Sequence, residues 1–160
     1  MMNSLQAFLS HAIRLESEAA HRSDELADAM QTWGNREVEA FFRRMAEYSR
    51  MHMKDAMARA GMRQVTELPA AGYDWPDDVA PESPDWWGVD GLMGIEQAIE
   101  NALEGERRGL AYYESVAAGT TNPKVKALAE EFAAEEREHV AEVERLLRSH
   151  RQGTTAGPDR

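Results

Sequence analysis

The stretch LAEEFAAEEREHV, residues 128–140, carries the strongest indication of the fold. Leu128, Phe132, Glu136 and His139 follow one another at steps of four, four and three residues. This spacing predicts that all four side chains lie on the same face of a helix. An apolar stripe that also contains a carboxylate is unusual, because an ionised carboxylate in a protein core is costly unless it is paired or bound to a metal. The stretch therefore predicts a core helix in which Glu136 needs a partner, although a single Glu-x-x-His pair in a chain rich in glutamate is more often solvated.

Three further segments have the same helical periodicity, which predicts an all-α, ferritin-like four-helix bundle. The predicted helices cover about residues 4–31, 35–60, 91–118 and 122–150. Only a few residues connect the first helix to the second and the third to the fourth. Such short connections predict two antiparallel helical hairpins. With 160 residues the chain fits one domain of this kind, residues 1–150, followed by a tail at 151–160 that is predicted to be disordered.

Residues 61–90 differ from the rest in composition, with four of the six prolines and three of the four tryptophans. The segment has no helical periodicity, and its length predicts a crossover that lets the third helix run parallel to the second. We expect its aromatic residues to pack on the bundle; a lid over a functional site is the alternative. These residues are Tyr73, Trp75, Trp86 and Trp87.

An internal repeat connects the polar residues of the predicted core. A shift of 90 residues aligns the first helix with the third and places Glu16 on Glu106. A shift of 87 residues aligns the second helix with the fourth and places His52 on His139. Ionisable residues at corresponding core positions need a shared partner, and a metal is the simplest one. The candidate metal ligands are Glu16, His52, Glu106, Glu136 and His139.

The types of these side chains restrict the metal. Carboxylate and imidazole ligands without thiolate suit iron or manganese, with zinc as a substitute, and the sequence contains no cysteine. Glu136 and His139 form a Glu-x-x-His motif, whose side chains project about 60° apart on a helix and can reach one ion. The neighbouring Glu135 and Glu138 are expected to be solvated. His11, His21 and His150 fall outside the ligand series and are expected at the surface or at its boundary.

The bulk composition excludes several classes of function. A net charge of −11 and a pI near 4.9 argue against a nucleic-acid partner. No apolar run approaches the roughly 20 residues that span a membrane, and the N-terminal residues do not resemble a signal peptide. The expected location is the cytoplasm.

Four stretches together resemble the rubrerythrin branch of the ferritin-like superfamily, over about residues 4–150. They are AIRLESEAAHRSDELA (12–27), FFRRMAEYSRMH (41–52), AIENALEGERRGLAYYESVA (98–117) and LAEEFAAEEREHV (128–140). The resemblance implies that the five candidate ligands hold two irons per chain, with Tyr113 as a hydrogen-bond donor to a ligating carboxylate. It implies an oxidoreductase that oxidises ferrous iron or reduces peroxide, with dioxygen or peroxide as oxidant. It also implies a homodimer or a larger homo-oligomer.

The sequence departs from the family pattern at two points. Ser49 stands where the second helix should carry the Glu of its own Glu-x-x-His motif, and Glu47 is rotated about 200° away from that position. The cysteine-ligated rubredoxin module of full-length rubrerythrins is absent from this sequence, so electrons would have to come from an external donor. The alternative function is therefore a non-catalytic metal-binding or structural bundle with one metal, such as zinc. A helical interaction protein with no metal is a further alternative.

Overall fold

The fold is built from four long helices, seen in a computed structural model that describes residues 2–63, 75 and 94–155. The helices are α1 (Leu5–Thr32), α2 (Arg36–Ala60), α3 (Ile95–Gly119) and α4 (Pro123–Thr155). The described residues contain no strand, and the all-α four-helix bundle is confirmed. Within these residues, no helix is long and apolar enough to cross a membrane.

Residues with capping side chains determine where several helices begin and end. The Asn35 carboxamide oxygen accepts a hydrogen bond from the backbone N–H of Val38 at 3.0 Å, and Asn122 does the same for Lys124 at 3.0 Å. These contacts satisfy N–H groups that have no partner within the first helical turn. Gly61 ends α2 in the left-handed region with φ 73°, where a residue without Cβ is favoured.

Helix α4 continues to Thr155, so the predicted disordered tail is wrong over residues 151–155. The reason is a contact between helices that periodicity does not reveal. The guanidinium of Arg151 donates to Glu96 at 2.7 Å and to Glu100 at 2.8 Å, both on α3. These two bonds join the last turns of α4 to the first turns of α3. Residues 156–160, and the predicted start of α3 at residues 91–93, lie outside the described residues.

The relative directions of the helices follow from contacts between them. His52 stacks on His139, and seven residues later Arg59 pairs with Glu131 at 3.0 Å, so α2 and α4 run antiparallel. Helix α4 is also antiparallel to α3, to which a short turn connects it. Helices α2 and α3 are therefore parallel, as predicted; residues 64–74 and 76–90 of the predicted crossover lie outside the described residues.

One described residue of the crossover, Trp75, packs on the bundle. Its ring is buried, and the centroid of the ring lies 4.8 Å from the ring centroid of His11 and 5.1 Å from that of Tyr112. His11 is consequently buried, and its predicted place at the surface or boundary is wrong. The reason is that Trp75 comes from a segment without periodicity and covers this face of α1. Tyr73, Trp86 and Trp87 lie outside the described residues.

The apolar core has two parts, with a polar layer between them. One cluster lies around Phe8, Tyr113 and Phe132, and the other around Leu26 and Ile99. On each of the four helices the candidate metal ligands fall between the residues of the two clusters. The fold thus places ionisable side chains in a layer that has apolar packing on both sides.

Candidate metal centre

Three of the five candidate ligands form a compact buried group. The Nδ1 atom of His139 lies 3.6 Å from Glu106 Oε2 and 3.8 Å from Glu136 Oε2. One ligand atom of each residue lies within 4.8 Å of those of the other two. Two ligand atoms that each lie about 2.1 Å from one ion are at most about 4.2 Å apart, so both His139 distances are compatible with a shared ion.

The other two candidates adjoin this group. The Nδ1 atom of His52 lies 3.9 Å from Glu16 Oε1, and its ring stacks on that of His139 with centroids 5.2 Å apart. Tyr113 donates a hydrogen bond from its hydroxyl to Glu16 Oε1 at 3.5 Å. The structure therefore brings the five residues into one layer, with three in a tight group and two beside it.

Several polar atoms of this layer are buried without a hydrogen bond. Among the described residues, Glu106 Oε2, Glu136 Oε2 and His52 Nδ1 find no hydrogen-bond partner. Buried polar atoms are normally satisfied, and an unsatisfied one costs about 1–3 kcal/mol. A divalent cation among these atoms would satisfy them together. The donor set of carboxylate oxygen and imidazole nitrogen fits iron or manganese.

Protons and metal compete for the same atoms. Burial and the charge of Glu136 raise the pKa of Glu106 to about 7. Burial alone would lower the pKa of His139, but the carboxylates of Glu106 and Glu136, 3.6 and 3.8 Å from its Nδ1 atom, raise it above its ordinary value. Burial and the neighbouring His139 lower the pKa of His52, which favours the neutral form of that ring. Neutral imidazole is the form that binds metal.

The structure agrees with the predicted places of two other glutamates, Glu47 and Glu138, and corrects that of a third, Glu135. Glu47 is exposed and accepts a hydrogen bond from Arg50 Nε at 3.2 Å, so it does not replace the carboxylate missing at Ser49. Glu135 was expected to be solvated, but it is half-buried and its Oε2 atom lies 3.5 Å from His52 Nε2. The prediction failed because α2 packs against this side of α4. Glu138 is exposed, as predicted.

The sequence analysis did not identify Arg22, a buried cation on α1 that lies beside Gly105, the residue before Glu106. Arg22 is only 2% exposed, and its guanidinium packs on the backbone of Gly105. A Cβ atom at Gly105 would lie 2.5 Å from Arg22 Nη2 and 2.9 Å from Cζ. A glycine inside a helical pattern is the signal that indicates such a close approach.

Fold and site together define a ferritin-like four-helix bundle with a candidate metal centre. The model of the rubrerythrin family matches residues 97–159. The crystal structure of an uncharacterized conserved protein from Magnetospirillum magnetotacticum MS-1 is similar over 91% of this chain and 95% of that chain, with 37% identity and a TM-score of 0.74. No curated protein matches the sequence. This chain belongs to the rubrerythrin family.

Proposed function

We propose that this protein is a non-haem di-iron oxidoreductase that oxidises ferrous iron with dioxygen or peroxide. The observation that supports it best is the buried group in which Glu106 Oε2 and Glu136 Oε2 have no hydrogen bond and face His139. Membership in the rubrerythrin family supports the same chemistry. Two irons per chain are proposed, with manganese or zinc as substitutes.

The proposed ligand roles follow the two halves of the layer. Glu106, Glu136 and His139 would hold one ion, Glu16 and His52 would hold the other, and Glu106 or Glu136 would help to hold both. Bound iron would supply Lewis-acid and one-electron redox chemistry. The chain itself holds Glu16 through the hydroxyl of Tyr113 and restricts water by packing apolar side chains on both sides of the layer. Glu106 would give up its proton when a cation enters, since its pKa lies near 7.

The proposed partners follow from the same chemistry. Reduction of peroxide by irons that stay bound would require a reductant, and we propose an external electron donor for this role. Assembly into a homodimer or a larger homo-oligomer and a location in the cytoplasm are part of the proposal. Nucleic acid and membrane are not proposed as partners of this strongly acidic chain.

A second candidate function is a single-metal structural clamp. It is favoured by Ser49, which is buried where α2 would carry a ligating carboxylate, and by the compactness of the group around His139. In this alternative, one zinc ion would join α3 and α4 without redox chemistry.

Ferrous oxidation separates the two functions. Protein loaded anaerobically with ferrous iron is mixed with air-saturated or peroxide-containing buffer, and formation of ferric iron is followed by absorbance. The proposal predicts oxidation faster than in a protein-free control, lost in His139→Ala and retained in Glu138→Gln, an exposed carboxylate on the same helix. Equal rates in His139→Ala and in the unmodified protein would overturn the proposal. Firm binding of one zinc ion without any oxidation would support the clamp.

A further inference from the structure

The His52 ring lies between two carboxylates that approach its two nitrogens from opposite sides. On one side Nδ1 lies 3.9 Å from Glu16 Oε1. On the other side Nε2 lies 3.5 Å from Glu135 Oε2. Since a neutral imidazole has one donor nitrogen and one acceptor nitrogen, the two sides of the ring must have different roles.

The side that faces Glu16 is suited to bind a metal. The side chain of Glu16 is 6% exposed, and the Nδ1 atom of His52 is buried with no hydrogen-bond partner. With a metal bound on this side, the lone pair of Nδ1 would point toward the carboxylate layer. The proton of the neutral ring then belongs on Nε2, the nitrogen that faces Glu135.

Among the neighbouring carboxylates Glu135, Asp55 and Glu131, Glu135 is the one that remains available to accept a hydrogen bond from His52 Nε2–H. The neighbouring acidic residues Asp55 and Glu131 are both bound by Arg59, at 3.1 Å and 3.0 Å. In the described part of the chain, the ion-pair partner of Glu135 is His52 alone. With its side chain 35% exposed, Glu135 has room to rotate and shorten the 3.5 Å separation.

We propose that Glu135 is a positioning residue that accepts a hydrogen bond from His52 Nε2–H and keeps the Nδ1 lone pair directed at the metal layer. This inference rests on the proposed di-metal function. Metal-ligating histidines usually donate their second ring N–H to a carboxylate, a carbonyl or water, which raises the basicity of the ligating nitrogen. Glu135 on α4 thereby supplies a carboxylate to the half of the site where α2 carries Ser49 in place of a glutamate.

Metal affinity tests the inference with three variants. Binding of Co²⁺ alone is measured by calorimetry and by its visible absorption bands. We expect Glu135→Ala to lower the affinity for one of the two ions by about 10–100-fold, which is typical for the loss of such a hydrogen-bond partner. The affinity for the other ion should be unchanged. Glu135→Gln should stay within about tenfold of the unmodified protein, because an amide carbonyl also accepts the hydrogen bond. Glu138→Ala, which removes a nearby charge on the same helix, should bind both ions normally.

The outcomes separate failure of this inference from failure of the proposed function. Two ions of unchanged affinity in Glu135→Ala would overturn the role of Glu135 and leave the di-metal function intact. A loss in Glu135→Gln as large as in Glu135→Ala would also overturn it, because it would make Glu135 a direct ligand. If the unmodified protein binds fewer than two ions, the proposed function fails.

In that case the hydrogen bond is still testable in the metal-free protein. Imidazole nitrogen NMR on histidine-labelled protein should show a His52 Nε2–H signal that is protected from solvent exchange, and Glu135→Ala should lose this protection. A signal that does not respond to the substitution would overturn the inference.

Discussion

Replacing Glu106 by glutamine should stabilise the metal-free protein although it removes a proposed ligand. Glutamine keeps the size of the side chain and its acceptor oxygen but cannot ionise. The pKa of Glu106 is raised from 4.5 to about 7 by burial and by Glu136, so the ionised form is disfavoured in the folded state. A carboxyl group with a raised pKa contributes most to stability below its unfolded pKa, and this contribution is lost as the pH rises through the folded pKa.

The size of the effect follows from the two pKa values. With a pKa of 4.5 in the unfolded chain and about 7 in the folded one, ionised Glu106 destabilises the fold at pH 8 by on the order of 3 kcal/mol. At pH 5 the same calculation gives less than about 1 kcal/mol. Near pH 8, Glu106→Gln should therefore raise the melting temperature by roughly 6–12 °C, since a domain of this size gains about 2–4 °C per kcal/mol.

The assay is thermal and urea unfolding of chelator-treated protein at pH 5 and pH 8, with Glu138→Gln as the control for loss of one exposed negative charge. We expect a small gain for Glu106→Gln at pH 5 and a large gain at pH 8, with little change in the control. A Glu106→Gln variant that is less stable than the unmodified protein at pH 8 would refute the account of Glu106 as a strained, buried carboxylate.

Two further predictions concern the metal and the helix packing. The melting-temperature gain from Co²⁺ should increase between pH 5.5 and 7.5, because the ion must displace a proton from His139, whose pKa is raised, and below pH 7 a second proton from Glu106. Each displaced proton lowers the affinity by about tenfold per pH unit, and a gain independent of pH would contradict this competition. Gly105→Ala should destabilise the protein by about 1 kcal/mol in urea unfolding, since the overlap with Arg22 exceeds the gain in helix propensity. Gly153→Ala, whose Cβ meets nothing within 4 Å, is the matched control, and equal stability of the two variants would contradict the prediction.

The helices and the polar layer were predictable because both depend on periodicity along one chain. The steps through Leu128, Phe132, Glu136 and His139 place a carboxylate and an imidazole in the core, and the internal repeat relates them to the other helices. Caps such as Asn35 are local as well, because the side chain binds a backbone N–H three residues away.

The features that were not predictable depend on how one helix sits against another segment. Glu135 and Glu138 look equivalent in the sequence, but α2 covers only the first of them, which therefore reaches His52. His11 is buried by Trp75, a residue from a segment without periodicity. Arg22 is buried because Gly105 on another helix leaves space for its guanidinium. Each of these contacts requires the relative rotation of two segments, which a pattern within one segment does not contain.

Iron content per chain tests the dinuclear site most directly. Protein is stripped with a chelator, reloaded anaerobically with ferrous iron and desalted, and its iron is measured by elemental analysis beside Glu136→Ala and Glu138→Gln. We expect about two irons per chain in the unmodified protein and in Glu138→Gln, and a loss in Glu136→Ala. One iron or none in the unmodified protein, or equal iron in Glu136→Ala, would contradict this expectation.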